Sequence, residues 1–247
     1  MERLETVRIP PARSPSPTLV FLHEGLGSAA LWRNFPARVA ERSGLGALVY
    51  SRCGNGFSER VELPRTPEYM HDEALVELPR LLDEFEIGDT VLVGHSDGAS
   101  IALIFAAEFA ERVRAVVVLA PHLFVEEHSL RSIAEIRERF ETTALRQKMA
   151  RYHADPEHTF YGWNDVWLSP EFRDWNIEAY AARVRAPVLA VQGLDDEYGT
   201  LLQLERLRER AQADVDCLLL AGCGHAPHLE RPASVEAAVA GWIEEQL

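Results

Sequence analysis

The residue types in this 247-residue chain whose order could do chemistry together are a serine, a pair of aspartates and a histidine. Ser96 lies in Gly94-His95-Ser96-Asp97-Gly98, which fits G-x-S-x-G. The apolar run "TVLV" precedes it and "ASIALIFAAEFA", with helical spacing, follows it. In that context the serine sits on a sharp strand-to-helix turn, its hydroxyl projects from the end of a sheet, and the glycines relieve crowding. A serine hydroxyl is a poor nucleophile without a base, and the base needs an acid to orient it. The expected chain order is Ser, then Asp or Glu, then His. Here "LDDEYG" follows the run "PVLAVQG", and "CGHAPHLERP" follows "CLLLAG". An acid and a histidine thus follow consecutive predicted strands, at the sheet edge where open α/β proteins bind ligands.

Elements that would position these groups are readable as short aliphatic runs at 18–23, 46–51, 90–95, 114–120, 187–193 and 215–222. Each has four to six apolar residues with little alternation, the pattern of strands buried on both faces in a parallel sheet. Helical patterns lie between them, at 72–86, 98–113, 201–211 and 233–246, with Pro79 expected to kink or end the first. Alternating strands and helices predict an α/β fold with a mainly parallel sheet flanked by helices. Residues 123–180 break the rhythm with helical patterns and no convincing strand, and hold three of the five tryptophans. This predicts a core from 1–122 and 181–247 with a helical insertion at 123–180. The insertion reads as a small packed subdomain, as a substrate-covering lid, or as both.

Composition narrows the function classes. The chain is 47% hydrophobic and 26% charged, with a net charge of −14. Such acidity gives no counterion-release binding to nucleic acid and is repelled by an anionic membrane surface. No apolar run approaches the ~20 residues that span a bilayer. The stretch "MERLETVRIPPARSPSP" has no apolar secretory core. Cys53, Cys217 and Cys223 are few, odd in number and far apart, which predicts reduced thiols in a cytoplasmic protein. His225-x-x-His228 and the histidines at 153 and 158 lack a clustered third ligand, and no Gly-rich segment fits a dinucleotide or P-loop motif. No metal and no cofactor is expected, and the oligomeric state is left open between monomer and homodimer.

The strings "FLHEGLGS" (21–28), "SRCGNGFS" (51–58), "GHSDGA" (94–99), "QGLDDEYG" (192–199) and "GCGHAPHLERP" (222–232) occur in an order that resembles the α/β-hydrolase-fold enzymes, of the lid-bearing esterase and C–C hydrolase type. That resemblance covers nearly the whole chain. It implies Ser96 as nucleophile and His225 as base. It offers Asp195 or Asp196 as the acid, and family spacing after Gly193 favours Asp196. His228, outside the Gly-His position, reads as a surface or supporting histidine. The oxyanion donors implied are the backbone N–H groups of Asp97 and Gly25, with Leu26 or Glu24 as other registers of the second. His23 would brace that loop, and Arg52, Gly54, Gly56 and Ser58 match a supporting loop.

Glu24, His122, Trp163 and Trp167 are the candidate substrate contacts, with Phe160 and Tyr161 as further aromatic candidates. His122 reads equally well as a core histidine. Asp97 departs from the uncharged residue usual after the nucleophile. It reads as a favourable acid in the first helical turn, or as a partner for a cationic substrate group. The expected activity is hydrolysis of a small carboxylic ester, thioester or lactone through an acyl-enzyme. C–C bond hydrolysis, cofactor-free haloperoxidase chemistry and a ligand-sensing module with little turnover are the alternatives. Epoxide and haloalkane hydrolases are disfavoured, since they carry Asp where Ser96 stands.

Overall fold

In the computed structural model, residues 3–12 and 16–247 are described. Residues 1–2 and 13–15, part of the N-terminal stretch read above for a leader, lie outside the described residues. Seven strands form one sheet: β1 (Thr6–Ile9), β2 (Thr18–Leu22), β3 (Gly46–Tyr50), β4 (Thr90–His95), β5 (Val113–Leu119), β6 (Val188–Gly193) and β7 (Val215–Leu220). Their spatial order is β1-β3-β2-β4-β5-β6-β7. All pairs are parallel except β1 with β3. The helices are α1 (Phe35–Ser43), α2 (Tyr69–Asp72), α3 (Leu78–Glu84), α4 (Asp97–Glu108), α5 (Glu127–Thr142), α6 (Leu145–Met149), α7 (Pro156–Leu168), α8 (Glu178–Ala181), α9 (Leu202–Arg210), α10 (Pro227–Glu230) and α11 (Pro232–Gln246).

Alternation along the strands divides the core into two layers. Val20, Leu22, Leu92, Val116, Val118, Val188 and Ala190 face one layer, with α4 and part of α7. Leu19, Phe21, Val91, Val93, Val117, Leu189 and Val191 face the other, with α1 and α11. Because both faces are covered, β2 to β6 read as continuous apolar runs. Helix α4 is buried from Asp97 through Ala106, which explains its nearly all-round apolar sequence.

One expectation needs correction, and two further features add to the sequence reading. The run at 215–222 is not buried on both faces: β7 is the outermost strand, with Asp216, Cys217 and Leu219 exposed. The edge strand β1 was not anticipated, since four residues with only intermediate burial at its ends carry little apolar signal. Pro79 does not end its helix. A π-helical turn at Glu73–Glu77 leads directly into α3, and such wider turns accommodate the missing N–H and ring bulk of proline.

Strand order reverses at β2, which has β3 on one side and β4 on the other. The loops leaving the carboxyl ends of β2 and β4 border the resulting crevice, where α/β sheets bind ligands. Between β5 and β6 the chain forms α5 to α8, with only an isolated bridge, Phe124 to Asn176, in place of a strand.

Candidate active site

The turn from β4 to α4 is strained at one residue. Ser96 has φ 53° and ψ −119°, a conformation costly for any residue with a Cβ. Close backbone approach explains the flanking glycines. A Cβ on Gly94 would lie 2.3 Å from the Gly98 carbonyl oxygen, and one on Gly98 would lie 1.9 Å from that of Leu22. The turn therefore packs hard against the end of β2 and holds the Ser96 hydroxyl at the mouth of the crevice.

Ser96 Oγ lies 2.9 Å from His225 Nε2. On the other side of the ring, His225 Nδ1 is 2.9 Å from both carboxylate oxygens of Asp196. Asp196 is buried, whereas Asp195 is exposed and its backbone N–H is donated to the Cys223 carbonyl. Gln192 Nε2 donates to Asp196 Oδ2 at 2.6 Å, and the N–H groups of Tyr198 and Gly199 donate to Oδ1. Burial pushes Asp196 up, but the charge and hydrogen bond of His225 and the Tyr198 N–H outweigh it and hold the carboxyl down to about 2. Burial conversely lowers His225, and Asp196 more than compensates, so its value stands above that of a free imidazole. The result is a carboxylate facing an imidazole whose charged form is favoured, with a hydroxyl on the ring's far nitrogen. Such an arrangement can take a proton from Ser96 Oγ and hold the resulting imidazolium.

The loop after β2 is braced through its carbonyls. Arg52 Nη1 donates to the His23 carbonyl and Nη2 to that of Glu24, while Asn55 Nδ2 bridges the carbonyls of Gly25 and Gly27 at 3.0 Å each. In a trans peptide the N–H points opposite to the C=O. With the Glu24 carbonyl turned to Arg52, the Gly25 N–H faces the opposite way. His23 is wholly buried, accepts the Arg52 N–H on Nε2, and donates from Nδ1 to the Glu24 carbonyl. Ser58 Oγ donates to the Ser51 carbonyl, and Gly54 and Gly56 both have positive φ, as turn-forming glycines do.

A cavity of about 240 Å³ opens over Ser96. Glu24, Gly25, Asp97, His122, Trp163, Trp167 and His225 are among its lining residues. Thus the sequence-derived contacts Glu24, His122, Trp163 and Trp167 converge on one space. His122 is both buried and cavity-lining, and burial, aided by the nearby His225 charge, lowers it to about 3, so it is neutral. Phe160 and Tyr161 do not line the cavity: Phe160 stacks on Phe140 at 3.8 Å in a separate small cluster with Tyr161 against it. His228 is buried rather than on the surface, packed against Trp32, Phe35 and His95, and burial lowers it to about 3.

Several contributors carried no readable motif. Glu230 accepts from the N–H groups of Gly224 and Ala226, on either side of His225. The Tyr198 ring lies 4.8 Å from that of His225, and Ile133 and Ile136 of α5 line the cavity. His95 lies 2.8 Å through Nε2 from the His225 carbonyl and 3.3 Å through Nδ1 from Glu24. Glu230, Tyr198 and His95 lie in strings that also hold His225, Asp196 and Ser96, whereas Ile133 and Ile136 lie in none of the quoted strings. Among the described residues, no group of three or more His, Cys, Asp or Glu is placed to hold a metal ion. No helix among them is long and apolar enough to cross a membrane.

Comparison with known proteins adds four observations. The alpha/beta hydrolase family matches residues 19–238. A (lyso)-N-acylphosphatidylethanolamine lipase of Mus musculus is 28% identical over 120 residues, which are 48% of this chain but only 34% of that lipase. A proline iminopeptidase of Lactobacillus delbrueckii subsp. bulgaricus is 23% identical over 92% of this chain and 90% of its own length. In backbone, the chain superposes on the enol-lactonase of Burkholderia xenovorans LB400 with a TM-score of 0.75, at 17% identity, covering 98% of this chain and 96% of the lactonase.

Proposed function

Because the chain belongs to the alpha/beta hydrolase family, we propose that it is a serine hydrolase cleaving a small carboxylic ester, thioester or lactone through an acyl-enzyme on Ser96. The observation that carries this reading is the continuous contact from Ser96 Oγ through His225 to Asp196, each step at 2.9 Å. His225 Nε2 takes the hydroxyl proton as Ser96 Oγ attacks the carbonyl carbon. Asp196 holds the Nδ1 proton and stabilises the imidazolium. The N–H groups of Asp97 and Gly25 receive the oxyanion. Asp97 is the first residue of α4, so its N–H has no acceptor within the helix. His225 then gives its proton to the leaving group. Water enters, loses a proton to His225 and releases the acid.

The substrate is small, because the cavity is compact. Trp163 and Trp167 of α7 form its aromatic wall, and the α5–α8 segment acts as a lid over it. A cytoplasmic setting suits three cysteines without a disulfide. The names of similar proteins, among them a lipase, an epoxide hydrolase, a peptidase and a lactonase, agree on hydrolysis and on nothing finer.

Burst kinetics with p-nitrophenyl esters of increasing chain length test the reading. Wild type is expected to release a burst of p-nitrophenol and then turn over, and Ser96→Ala to do neither. Turnover that survives in Ser96→Ala would overturn the assignment. For the acid, Asp196→Asn is expected to lower kcat by roughly 10³–10⁴, and Asp195→Asn to change it little. The reverse ranking would move the role to Asp195.

A further inference from the structure

Asp97 follows the nucleophile and is only 1% exposed. Its carboxylate is fixed from one side: Trp167 Nε1 donates to Tyr69 Oη at 2.9 Å, and Tyr69 Oη donates to Asp97 Oδ2 at 2.5 Å. The other oxygen, Oδ1, meets no hydrogen-bond partner in good geometry: the Trp163 indole N–H, itself unpartnered, acts on the carboxylate without completing such a bond, and both residues line the cavity over Ser96. A buried acceptor left unsatisfied is costly, and persists where a ligand supplies the missing donor. A solvated first-turn acid would not need to be buried and clamped in this way.

Charge on the cavity wall tells which donor fits. Glu24, Asp97, Glu197 and Glu230 line it, and no Lys or Arg does. Arg52 and Arg65 act on Asp97 from behind, but their guanidinium hydrogen bonds go to the carbonyls of His23, Glu24 and Cys53 and to Asn55. The indoles of Trp163 and Trp167 stand on the same wall, and aromatic walls attract cations. We propose that Asp97 Oδ1 is the recognition point for a protonated amine on the acyl half of the substrate, so that the preferred substrates are esters of amino-substituted carboxylic acids.

Placement follows from covalent geometry. The backbone N–H of Asp97 is the group assigned above to the oxyanion, and its carboxylate hangs from the same residue. A cation that reaches Oδ1 while the carbonyl oxygen sits on that N–H must be attached close to the carbonyl carbon, on the adjacent carbon in the simplest case. The amine also removes an electrostatic penalty. An ionised carboxylate beside the oxyanion opposes the negative charge that develops there, and a substrate ammonium between them offsets it.

This inference rests on the acyl-transfer reading, and the experiment separates the two. The benzyl esters of L-alanine and L-lactate differ only in an ammonium against a hydroxyl. Wild type is expected to favour the alanine ester by about 30-fold or more in kcat/KM, and Asp97→Asn to bring that ratio near one. A ratio near one in wild type, or one that survives in Asp97→Asn, overturns the subsite while leaving acyl transfer standing. If Asp97→Asn does not fold, Tyr69→Phe keeps the carboxylate but frees Oδ2. The ratio should then fall several-fold, and an unmoved ratio counts against the proposal. Calorimetry with Ser96→Ala reads the subsite without turnover. The alanine ester should bind at least tenfold more tightly than the lactate ester, and equal binding overturns the subsite whatever the esters do in the kinetic assay. Turnover of neither ester by wild type, with the alanine ester still bound preferentially, would uphold the subsite and remove the reaction instead.

Discussion

His225 and Asp196 shift each other in opposite directions, and the pH dependence of the proposed reaction follows from that. Only neutral His225 can take the Ser96 proton. Its value in the folded protein is raised, so kcat/KM should climb with pH through a midpoint above the ordinary imidazole value of about 6.5. In Asp196→Asn the largest raising charge is gone while burial and the weaker pull of Glu197 and Glu24 remain, which moves the midpoint down from that of wild type. A pH–rate profile of both proteins on one ester checks this; coincident midpoints would mean that Asp196 is not coupled to the base. The same pair enters stability with a definite sign. Asp196 is held at about 2, below its unfolded value near 3.8, so its contribution is present above pH 3.8 and is lost as pH falls towards 2.

At the scale of elements, the site depends on the loop after β2, whose backbone carbonyls from His23 to Gly27 each meet a side-chain partner. Asn55 is 2% exposed and joins the Gly25 and Gly27 carbonyls. Asn55→Leu should therefore leave two buried acceptors unpaired, costing about 1–3 kcal/mol each. It should also lower kcat at least tenfold by releasing the Gly25 loop. Thermal melts together with kcat on an ester test it, and lost stability with kcat intact would separate this loop from the oxyanion. Strands β2 to β6 were legible in the sequence because covering both faces leaves uninterrupted aliphatic runs. The elbow was legible because backbone approach at Gly94 and Gly98 forces glycine at fixed positions. By contrast the edge strand β1 carries too little apolar signal to be read, and β7, legible as a strand at 215–222, is an edge whose exposed side chains its apolar run does not reveal. The cavity wall was only partly legible. Trp163 and Trp167 stand one helical turn apart on α7 and reach the cavity together, while Phe160, three residues before Trp163, turns into the cluster with Phe140. Aromatic content alone does not tell which face of a helix meets which layer. Tyr69, which fixes Asp97 from 28 residues away in sequence, belongs to no local pattern.

For the whole molecule, the interior around the crevice holds more charge than a core built only for stability would keep. Tyr50 pairs with Glu73 at 2.6 Å and Tyr69 with Asp97 at 2.5 Å, and Arg52 acts on both carboxyls with Nη1 and Nη2 on carbonyls and Nε unpartnered. Burial raises the carboxyls of both Glu73 and Asp97, against the pull of Arg52 and the tyrosine hydrogen bonds. For Asp97 the sign is opposite to that of Asp196. The stability of its protonated form is present below the unfolded value near 3.8 and is lost as pH rises through the raised folded value. Above that raised value the ionised side chain therefore weakens the free protein. A position kept at such a cost is the pattern of a binding group, since stability and function conflict there. Asp97→Asn retains an acceptor for Tyr69 and removes the charge. Its melting temperature at pH 7 should equal or exceed that of wild type, by about 2–4 °C for each kcal/mol relieved. The gap should narrow as pH is lowered towards the folded value of Asp97. Tyr69→Phe should do the reverse at pH 7, because it strips the carboxylate of its Tyr69 donor while leaving the charge in place. A variant Asp97→Asn that melts well below wild type would mean that the field of Arg52 and Arg65 outweighs burial. The carboxylate would then belong to the scaffold, and its unpartnered oxygen would no longer point to a ligand.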